Sequence, residues 1–258
     1  MNLLDGKIVF LTGGNGQLGA AITETFVKYG AKVASIDLNV KHTGNDMVKY
    51  YKCDVTDRNS IKECLDIIEE ELGTPNVLIN NAGIDSPPSA NSDANLPFEL
   101  VPKEIFENTI NVNTLGVVYC CQEIGLKMRN NGGGSIVNIG SIYGVLSPNH
   151  TIYEYKNQNG AQWFKPSAYS ISKSANINLT RYLATYWAGQ NIRVNMISPA
   201  GIFNNQDERF LNGYLRNVPM KRMAKVDEIA NAIAFLCSDM SSYVTGQNLV
   251  VDGGLSAW

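Results

Sequence analysis

The chain has 258 residues, of which 44% are hydrophobic and 17% charged, values typical of a globular protein with one large domain or two small ones. The net charge of -3 argues against a nucleic-acid-binding surface, and no apolar run approaches the roughly 20 residues that a membrane span needs. The five cysteines show neither metal-ligand spacing nor a disulfide framework, and the N-terminus lacks the apolar stretch of a signal peptide. We therefore expect a cytoplasmic protein without a metal site.

Apolar, β-branched runs alternate with helical patterns along the whole chain. The predicted strands are Lys7–Thr12, Lys32–Leu38, Val48–Cys53, Val77–Asn80, Ser135–Gly140, Arg193–Ile197 and Asn248–Val251. Apolar residues at helical spacing predict a helix that begins near Asp57 or Ser60 and two further helices, over Ala168–Trp187 and Val226–Leu236. The alternation predicts one α/β domain over residues 1–258, with helices on both faces of a doubly wound parallel sheet.

Two stretches do not fit this alternation. Asp85–Pro102 and Ser147–Pro166 are both polar, both contain proline and both follow predicted strands. Loops at the carboxyl ends of parallel strands are where such sheets bind ligands. We therefore expect both stretches to be insertions on the substrate side of the domain.

A glycine-rich turn follows the first predicted strand and opens a predicted helix. Its sequence is Thr12-Gly13-Gly14-Asn15-Gly16-Gln17-Leu18-Gly19. Glycine permits a tight turn and a close approach of the backbone to a pyrophosphate, which then sits on the helix N-terminus. The residues that we expect to bind a dinucleotide here are Gly13, Asn15, Gly16, Gln17, Leu18 and Gly19.

Asp37 ends the second predicted strand, 18 residues after the last glycine of that turn. A carboxylate there accepts hydrogen bonds from ribose hydroxyls and repels a 2′-phosphate, and the nearest basic residue is Lys41, so the sequence favours NAD over NADP. The alternative is that Asp37 merely caps the next turn. We also expect Leu38, beside it, and Asp54-Val55, after the third strand, to contact the adenosine half of the cofactor.

Tyr169 and Lys173 are four residues apart in a predicted helix and therefore lie on the same face, one turn from each other. A free phenol has a pKa near 10 and is a poor base at neutral pH. An ammonium beside it stabilises the phenolate and lowers its pKa, which would let Tyr169 exchange a proton with a substrate hydroxyl. The same spacing also occurs on solvated helix faces, so the pair alone does not decide the function.

Taken together, these motifs resemble the short-chain dehydrogenase/reductase family over essentially the whole chain. The motifs appear in the same order as in the family: the glycine-rich turn, Asp54-Val55, Asn80-Asn81-Ala82-Gly83, Asn113, Ser141, Tyr169 with Lys173, and Pro199-Ala200-Gly201. The resemblance implies a seven-stranded parallel Rossmann sheet, a nicotinamide cofactor and a homodimer or homotetramer.

The resemblance also implies roles for individual residues. Tyr169 is expected to be the general acid and base, and Lys173 to lower its pKa and bind the nicotinamide ribose. Ser141 is expected to polarise the reacting carbonyl or alcohol. Asn113, favoured over Asn111, is expected to hold a water between Lys173 and solvent. The further cofactor contacts that the resemblance implies are Asn81, Ala82 and Gly83 on the adenosine side and Pro199, Gly201 and Ile202 at the nicotinamide.

Two features depart from the family pattern. Gln17 stands where the single-domain branch usually has glycine, and the resulting spacing is similar to that of the larger, sugar-nucleotide-modifying branch. That branch adds a substrate domain, for which the chain leaves no room after Val251. In addition, Tyr169 follows Ser141 by 28 residues, about twice the usual gap, so the extra residues are expected beside the substrate.

The second insertion suggests a polar substrate. Amides and aromatics interleave in Ser147–Pro166, a pattern that suits stacking on sugar faces and bonding to hydroxyls, although a self-packed surface loop or a subunit contact would explain it equally well. A lid is expected near residues 202–222, where Arg209 could bind a carboxylate or phosphate. The candidate substrate contacts are Ser141, Tyr143, His150, Trp163, Asn204 and Arg209. These loops also resemble oxidoreductases of bacterial surface-sugar pathways that make sialic-acid-like units or flagellar glycans.

The predicted reaction is NAD-dependent hydride transfer between nicotinamide and a secondary alcohol or ketone, on a sugar, sugar nucleotide or sugar acid. One alternative is a sugar epimerase or dehydratase that uses NAD catalytically, against which the missing substrate domain argues. Another is a protein that senses NAD(H) without turnover. The presence of Ser141, Tyr169 and Lys173 argues against that last alternative, since a binding module does not need them.

Overall fold

A computed structural model of the chain describes residues 2–40, 45–86, 92–157 and 162–258. Within these ranges, seven strands form one sheet in the order β3-β2-β1-β4-β5-β6-β7, and all the pairings are parallel. The strands are β1 (Ile8–Thr12), β2 (Lys32–Asp37), β3 (Val48–Lys52), β4 (Val77–Asn80), β5 (Gly134–Ile139), β6 (Ile192–Pro199) and β7 (Asn248–Val251). The predicted Rossmann sheet is therefore confirmed. Lys41, residues 87–91 of the first predicted insertion and residues 158–161 of the second lie outside the described residues.

The strand order reverses at β1, which pairs with β2 on one side and with β4 on the other. At such a switch point the connections leave in opposite directions, and a crevice opens at the carboxyl ends of the two central strands. The turn after β1 and the loop after β4 both lie at this crevice. The topology therefore places a ligand site there.

Helices cover both faces of the sheet. They are α1 (Gln17–Lys28), α2 (Arg58–Glu71), α3 (Lys103–Ile110), α4 (Gly116–Asn130), α5 (Ile142–Val145), α6 (Ser167–Trp187), α7 (Glu208–Leu215) and α8 (Val226–Cys237). The predicted helix start near Asp57 is present, because the side chain of Asp57 caps α2 by accepting a hydrogen bond from the backbone N–H of Asn59.

Two apolar clusters hold these layers together. Phe10 of β1 points into the cluster formed with α2, α4 and α6, whereas its neighbours Val9 and Leu11 point into the cluster formed with α1 and α8. Because successive side chains in a strand point to opposite faces, both faces of the sheet are buried, as expected for a parallel sheet. The five cysteines are buried and free. None of the helices in the described ranges is long and apolar enough to span a membrane.

A third apolar cluster lies outside the sheet and joins the second insertion to the segment around α7. Its buried members are Ile152, Tyr153, Trp163, Phe210, Tyr214, Val218 and Met223. Tyr153 is its centre, with ring centroids 4.7 Å from Trp163 and 5.7 Å from Phe210. We call this group the aromatic cluster. It fixes the described part of the insertion against the segment in which the sequence predicts a lid.

Candidate active site

The glycine-rich turn packs tightly against the loop after β4. Gly13 has a φ of +65°, and a Cβ there would lie 2.8 Å from the Cα of Ala82. A Cβ on Gly19 would lie 2.3 Å from the carbonyl oxygen of Gly13. The Thr12 hydroxyl accepts hydrogen bonds of 3.0 Å from the backbone N–H groups of Asn81 and Ala82. The two ligand-binding loops are therefore clamped to each other at the switch point, at positions where only glycine fits.

The N-terminus of α1 faces the crevice. The helix begins at Gln17, and Gly16 before it has no side chain to cap the first backbone N–H groups. An added Cβ at Gly16 would make only an ordinary van der Waals contact, 3.5 Å from the carbonyl oxygen of Gly13. Uncapped N–H groups and the positive end of the helix dipole suit an anion. The turn therefore fits the pyrophosphate of a dinucleotide. Leu18 instead packs against the apolar cluster that includes α1 and α8.

Asp37 lies at the carboxyl end of β2, beside this turn. Its Oδ2 accepts a hydrogen bond of 3.1 Å from the backbone N–H of Asn15, and the Asn15 side chain donates to the carbonyl of Asn39. The bond from Asn15 N–H joins Asp37 to the glycine-rich turn. In the alternative interpretation, Asp37 would instead cap the turn that follows β2. The carboxylate is half-buried, and a ribose contact for it remains a prediction. Leu38 is exposed next to it.

The residues after β3 are also ordered by local contacts. Asp54 Oδ1 accepts hydrogen bonds from the backbone N–H and the hydroxyl of Thr56, at 2.9 and 2.7 Å. Val55 packs against the start of α4, where a Cβ on Gly116 would lie 3.0 Å from a Val55 methyl carbon. An adenine contact for Asp54 and Val55 remains a prediction.

Tyr169 and Lys173 lie one turn apart on α6. Lys173 is buried, and its Nζ donates a hydrogen bond of 2.9 Å to the carbonyl of Ile139 and lies 5.8 Å from the centroid of the Tyr169 ring. The backbone of Gly83 comes close on the other side, since an added Cβ there would lie 3.4 Å from the same Nζ. Burial disfavours the charged form and lowers the pKa of Lys173 to about 8.

Ser141 follows β5 and forms the N-cap of α5, where its hydroxyl accepts a hydrogen bond of 3.1 Å from the backbone N–H of Tyr143. Burial raises the pKa of Tyr169 above its ordinary value, and the charge of Asp85 raises it further, while a hydrogen bond with Ser141 opposes the shift. This direction is opposite to the one predicted from the sequence. The physical reason is that desolvation of the phenolate outweighs its stabilisation by neighbouring groups.

Asn113 lies in a π-helical turn, Asn111–Leu115, between α3 and α4. Its fully buried amide donates to the carbonyl of Ile84 at 2.9 Å and to the Ser172 hydroxyl at 3.0 Å, and its Oδ1 accepts from the backbone N–H of Ile84 at 2.8 Å. Asn113 thus ties the loop after β4 to α6, whereas Asn111 is exposed. Its role in holding a water remains a prediction.

A cavity of about 210 Å³ opens beside Ser141 and Tyr169. It is lined by Asp85, Ser141, Ile142, Tyr143, Tyr153, Lys165, Tyr169, Ala200, Gly201, Ile202, Gln206, Phe210, Tyr214 and Met223. The backbone after β6, which ends at Pro199, forms one wall and is fixed by the hydroxyl of Tyr214, which accepts a hydrogen bond of 2.7 Å from Gly201 N–H. The cavity is therefore placed between the Ser-Tyr-Lys group, the second insertion and the aromatic cluster.

Two of the six predicted substrate contacts, Ser141 and Tyr143, line this cavity. Trp163 is instead buried in the aromatic cluster, as the alternative of a self-packed loop requires. His150 is exposed and packs edge-on against Phe164, with ring centroids 5.2 Å apart.

Asn204 and Arg209 do not line the cavity either. Asn204 is exposed and donates its backbone N–H to Gln206 at 2.8 Å. The guanidinium of Arg209 pairs with Asp207 and lies 5.0 Å from the centroid of the Tyr155 ring. Because Asp207 already neutralises it, Arg209 is not an unpaired cation that awaits an anionic substrate.

Sequence analysis missed several residues that line the cavity, notably Asp85 and Lys165, which form a salt bridge there. One signal was available: Asp85 stands two residues after Gly83 of the Asn-Asn-Ala-Gly motif, and Lys165 stands four residues before Tyr169. Charged side chains so close to motif residues are candidates for the same site.

Gln17, the residue that departs from the family pattern, forms a side-chain hydrogen bond. Its side-chain amide donates a hydrogen bond of 2.7 Å to the backbone carbonyl of Phe203. Phe203 follows the β6 segment that lines the cavity, so this bond reaches from the glycine-rich turn to the opposite wall of the crevice. In the described ranges, no group of three or more His, Cys, Asp or Glu side chains could hold a metal ion.

This fold and site define a class of protein: an oxidoreductase that binds a dinucleotide at the switch point of a parallel sheet and carries a Ser-Tyr-Lys group beside it. A family model described as enoyl-(acyl carrier protein) reductase matches residues 15–256. The chain belongs to the short-chain dehydrogenase/reductase family, and it is a nicotinamide-dependent enzyme of that family.

Individual relatives match nearly the full length of the chain. A D-arabinitol 2-dehydrogenase (ribulose-forming) from Candida tropicalis is 34% identical, over 99% of this chain and 94% of the relative. A D-threitol dehydrogenase from Mycolicibacterium smegmatis is 30% identical, over 97% and 93%. Among solved structures, a short chain dehydrogenase from Leptospira borgpetersenii with bound NAD+ is 34% identical, with a TM-score of 0.88 over 99% of this chain and 94% of that one.

Proposed function

We propose that the protein interconverts a secondary alcohol of a small polyol and the corresponding ketone, with NAD as the hydride carrier. The observation that carries this proposal is the cavity of about 210 Å³ beside Tyr169, whose wall holds two charged side chains and several tyrosine hydroxyls. Drug-sized ligands usually occupy mostly apolar pockets of about 300–1,000 Å³. A cavity smaller than these, with charged and hydroxyl-bearing side chains in its wall, suits a small, polyhydroxylated molecule. The D-arabinitol and D-threitol dehydrogenases among the relatives support the same substrate class.

The mechanism uses Ser141 and Tyr169, which line the cavity, and Lys173, which lies one turn from Tyr169 on α6. The oxidised nicotinamide, when bound, supplies the hydride acceptor and a positive charge that favours the phenolate of Tyr169. Tyr169 takes the proton from the substrate hydroxyl during oxidation and returns it during reduction. Ser141, which lines the cavity together with Tyr169, holds the reacting oxygen in place. Lys173 adds a second positive charge beneath the Tyr169 ring while it is protonated.

The preference for NAD over NADP belongs to this proposal and rests on Asp37. Its carboxylate is held beside the glycine-rich turn by Asn15 N–H, which supports a role in binding the adenosine ribose. A 2′-phosphate there would bring two anionic groups together, which is unfavourable. The NAD+ bound to the Leptospira relative supports the same preference.

Within the substrates expected from the sequence, the cavity favours small polyols over sugar nucleotides, because a nucleotide is much larger than about 210 Å³ allows. The polyol dehydrogenases among the relatives lend no support to a role in bacterial surface-glycan synthesis. The assay that tests the proposal therefore also includes sugar acids and sugar nucleotides.

The test is an NADH assay with a panel of pentitols, tetritols, hexitols, sugar acids and sugar nucleotides, with Tyr169→Phe as the control. The proposal predicts NADH formation with at least one polyol, formation of the matching ketose, and loss of both in the variant. Conversion of a sugar to its epimer without net NADH would favour the epimerase alternative. Tight NAD(H) binding without turnover of any compound, unchanged by the substitution, would favour the sensor alternative.

We further propose that the protein is a homo-oligomer that uses the face formed by α4 and α6. Leu126, Tyr182 and Tyr186 are 44%, 62% and 56% exposed on this face, and the two tyrosine rings stack with centroids 6.1 Å apart. Contiguous exposed apolar side chains of this kind mark contact surfaces. Sedimentation of the wild type and of Tyr186→Glu tests this, and a wild-type monomer would contradict it.

A further inference from the structure

An ion pair with a buried lysine and a partly exposed carboxylate stands in the substrate cavity, and no part of the mechanism above uses it. The ammonium of Lys165 pairs with the carboxylate of Asp85 and also donates a hydrogen bond of 3.1 Å to the carbonyl of Ser86. The side chain of Lys165 is only 5% exposed, and that of Asp85 is 32% exposed. Both residues line the cavity wall beside Tyr169. A lysine this deeply buried is rare and needs a reason.

Anchoring of the two loops is not a sufficient reason. Neutral hydrogen bonds already join the segments from which the pair comes: Asn95 donates its amide to the carbonyl of Phe164 at 2.9 Å, and Phe164 N–H donates to the carbonyl of Asn95 at 3.0 Å. The Ser86 hydroxyl donates to Asn95 Oδ1 at 2.7 Å and completes the link. Replacing a buried ion pair by apolar side chains is often neutral or stabilising, so an ion pair is a poor choice for this purpose.

The pair still has hydrogen-bonding capacity towards the cavity. An ammonium has three donors, and Asp85 and Ser86 take two of those of Lys165. Its Nζ lies 5.1 Å from the ring centroid of Tyr169 and 5.9 Å from that of Tyr143, so it sits between the two tyrosines that border the cavity. A carboxylate has about four acceptor positions. Among the described residues, Asp85 accepts hydrogen bonds from Lys165 and from Ser86 N–H, which leaves acceptor positions available.

We propose that the Asp85–Lys165 pair binds a second hydroxyl of the substrate, on a carbon neighbouring the one that reacts at Tyr169, and so makes the enzyme selective for vicinal diols. The inference rests on the proposed polyol dehydrogenase function. The ammonium donates to the oxygen of this hydroxyl, and the carboxylate accepts its hydrogen, so one hydroxyl satisfies both members. An alcohol without this hydroxyl leaves the buried ammonium and its carboxylate partner without their ligand, which is how a polar site rejects an analogue.

The pair also sets the electrostatic environment of Tyr169. The groups that face this phenol are Asp85 and Lys165 from the two insertions, Ser141 and Tyr143 from the β5–α5 segment, and Lys173 from α6 itself. Loss of the Lys165 charge alone leaves the Asp85 carboxylate uncompensated, which disfavours the phenolate. Loss of the Asp85 charge alone leaves the ammonium of Lys165, which favours the phenolate of Tyr169. The two single changes should therefore shift the alkaline limb of the pH profile in opposite directions.

The test compares butane-2,3-diol with butan-2-ol, which differ by the neighbouring hydroxyl, in wild type, Lys165→Met, Asp85→Asn and the double variant. We expect each change to lower kcat/KM for the diol on the order of 10–100-fold, which is the range for the loss of a hydrogen bond to a charged group. The kcat/KM for the monoalcohol should change by a much smaller factor. Lys156→Met, in the same insertion but away from the cavity lining, is the matched control and should leave both values unchanged. The pH profile should move to higher pH in Lys165→Met and to lower pH in Asp85→Asn.

The double variant decides the question, because it removes both charges together and leaves no buried charge unpaired. Retention of the wild-type preference for the diol in the double variant would overturn the proposal, as would an equal fall for both alcohols, which would indicate a structural role. Equal wild-type activity on the two alcohols would also overturn it while leaving the dehydrogenase function intact. Absence of wild-type turnover on every polyol and alcohol, with NAD bound, would instead refute the proposed function itself.

Discussion

The side-chain amide of Gln17 donates a hydrogen bond of 2.7 Å to the backbone carbonyl of Phe203, across the crevice at the carboxyl end of the sheet. The two residues belong to opposite walls: Gln17 begins α1, and Phe203 follows β6. The glycine that the single-domain branch of the family usually has at this place could not make such a bond. The link therefore fastens the segment after β6 over the nucleotide site.

We expect Gln17→Ala to speed the release of NADH. Removal of one hydrogen bond worth about 1 kcal/mol corresponds to a dissociation rate roughly fivefold higher. Stopped-flow fluorescence measures this rate, and Gln190→Ala, an exposed glutamine far from the crevice, serves as the control. An unchanged dissociation rate would show that the bond does not retain the cofactor.

Lys173 should reduce the stability of the fold at neutral pH. Burial lowers its pKa from 10.5 to about 8, which corresponds to about 3 kcal/mol. Between pH 8 and 10.5 the unfolded chain holds this proton and the folded chain does not, so stability from this group rises with pH across that window. Below pH 8 the folded protein bears the full cost of the buried charge.

Lys173→Met is therefore expected to be inactive but more stable. At pH 7 the free energy of unfolding should rise by about 1–2 kcal/mol, since loss of the hydrogen bond to Ile139 offsets about 1 kcal/mol of the gain. The advantage over wild type should shrink as the pH rises from 8 to 10.5. Urea denaturation at pH 7 and pH 9.5 measures both effects, and a variant less stable than wild type at pH 7 contradicts the argument.

Tyr169→Phe should reduce turnover on the order of 10²–10⁴-fold, because it removes the group that exchanges the proton. NADH affinity should change little. In the wild type, burial and the charge of Asp85 raise the pKa of Tyr169, so the rate of alcohol oxidation should increase with pH through the alkaline range as the phenolate forms. Tyr155→Phe, outside the cavity, is the control. A flat profile of the hydride-transfer step between pH 6 and 10 would exclude Tyr169 as the base.

Asp37→Ser should shift the cofactor preference towards NADP. The substitution removes the carboxylate that we propose binds the ribose, and with it the repulsion of a 2′-phosphate. The ratio of kcat/KM for NADP to that for NAD is expected to rise on the order of tenfold or more, the equivalent of about 1.4 kcal/mol. Asp5→Ser, an exposed carboxylate elsewhere, should leave the ratio unchanged. An unchanged ratio in Asp37→Ser would remove the basis for the NAD preference.

The elements of this fold could be predicted because local patterns determine them. β-branched runs with turn residues between them predict seven strands, and the predicted bounds differ from those observed by at most two residues. Tyr169 and Lys173 could be identified for a related reason, because proton exchange suits those side chains and their spacing places them on one face of α6. Ser141 was identified through the resemblance to the family. The structure places Ser141 and Tyr169 in the wall of one cavity and Lys173 Nζ 5.8 Å from the centroid of the Tyr169 ring.

Other features depend on contacts that no local pattern reveals. Asp85 and Lys165 are 80 residues apart, and their pairing requires that the two insertions meet, which spacing along the chain does not show. The direction of the Tyr169 pKa shift depends on how deeply the phenol is buried, and the sequence suggested only the neighbouring ammonium. The aromatic pattern of the second insertion fitted either a sugar platform or a self-packed loop, and Trp163 belongs to the latter.

The aromatic cluster has a consequence for protein engineering. Tyr153 and Trp163 of the insertion share one core with Phe210 and Tyr214 of the α7 segment, although the two stretches are far apart in the chain. A chimera that received only the insertion of a relative would place foreign side chains against half of a core built for others. The two segments therefore form a single unit of exchange, and a change of substrate range by loop grafting would have to transfer both at once.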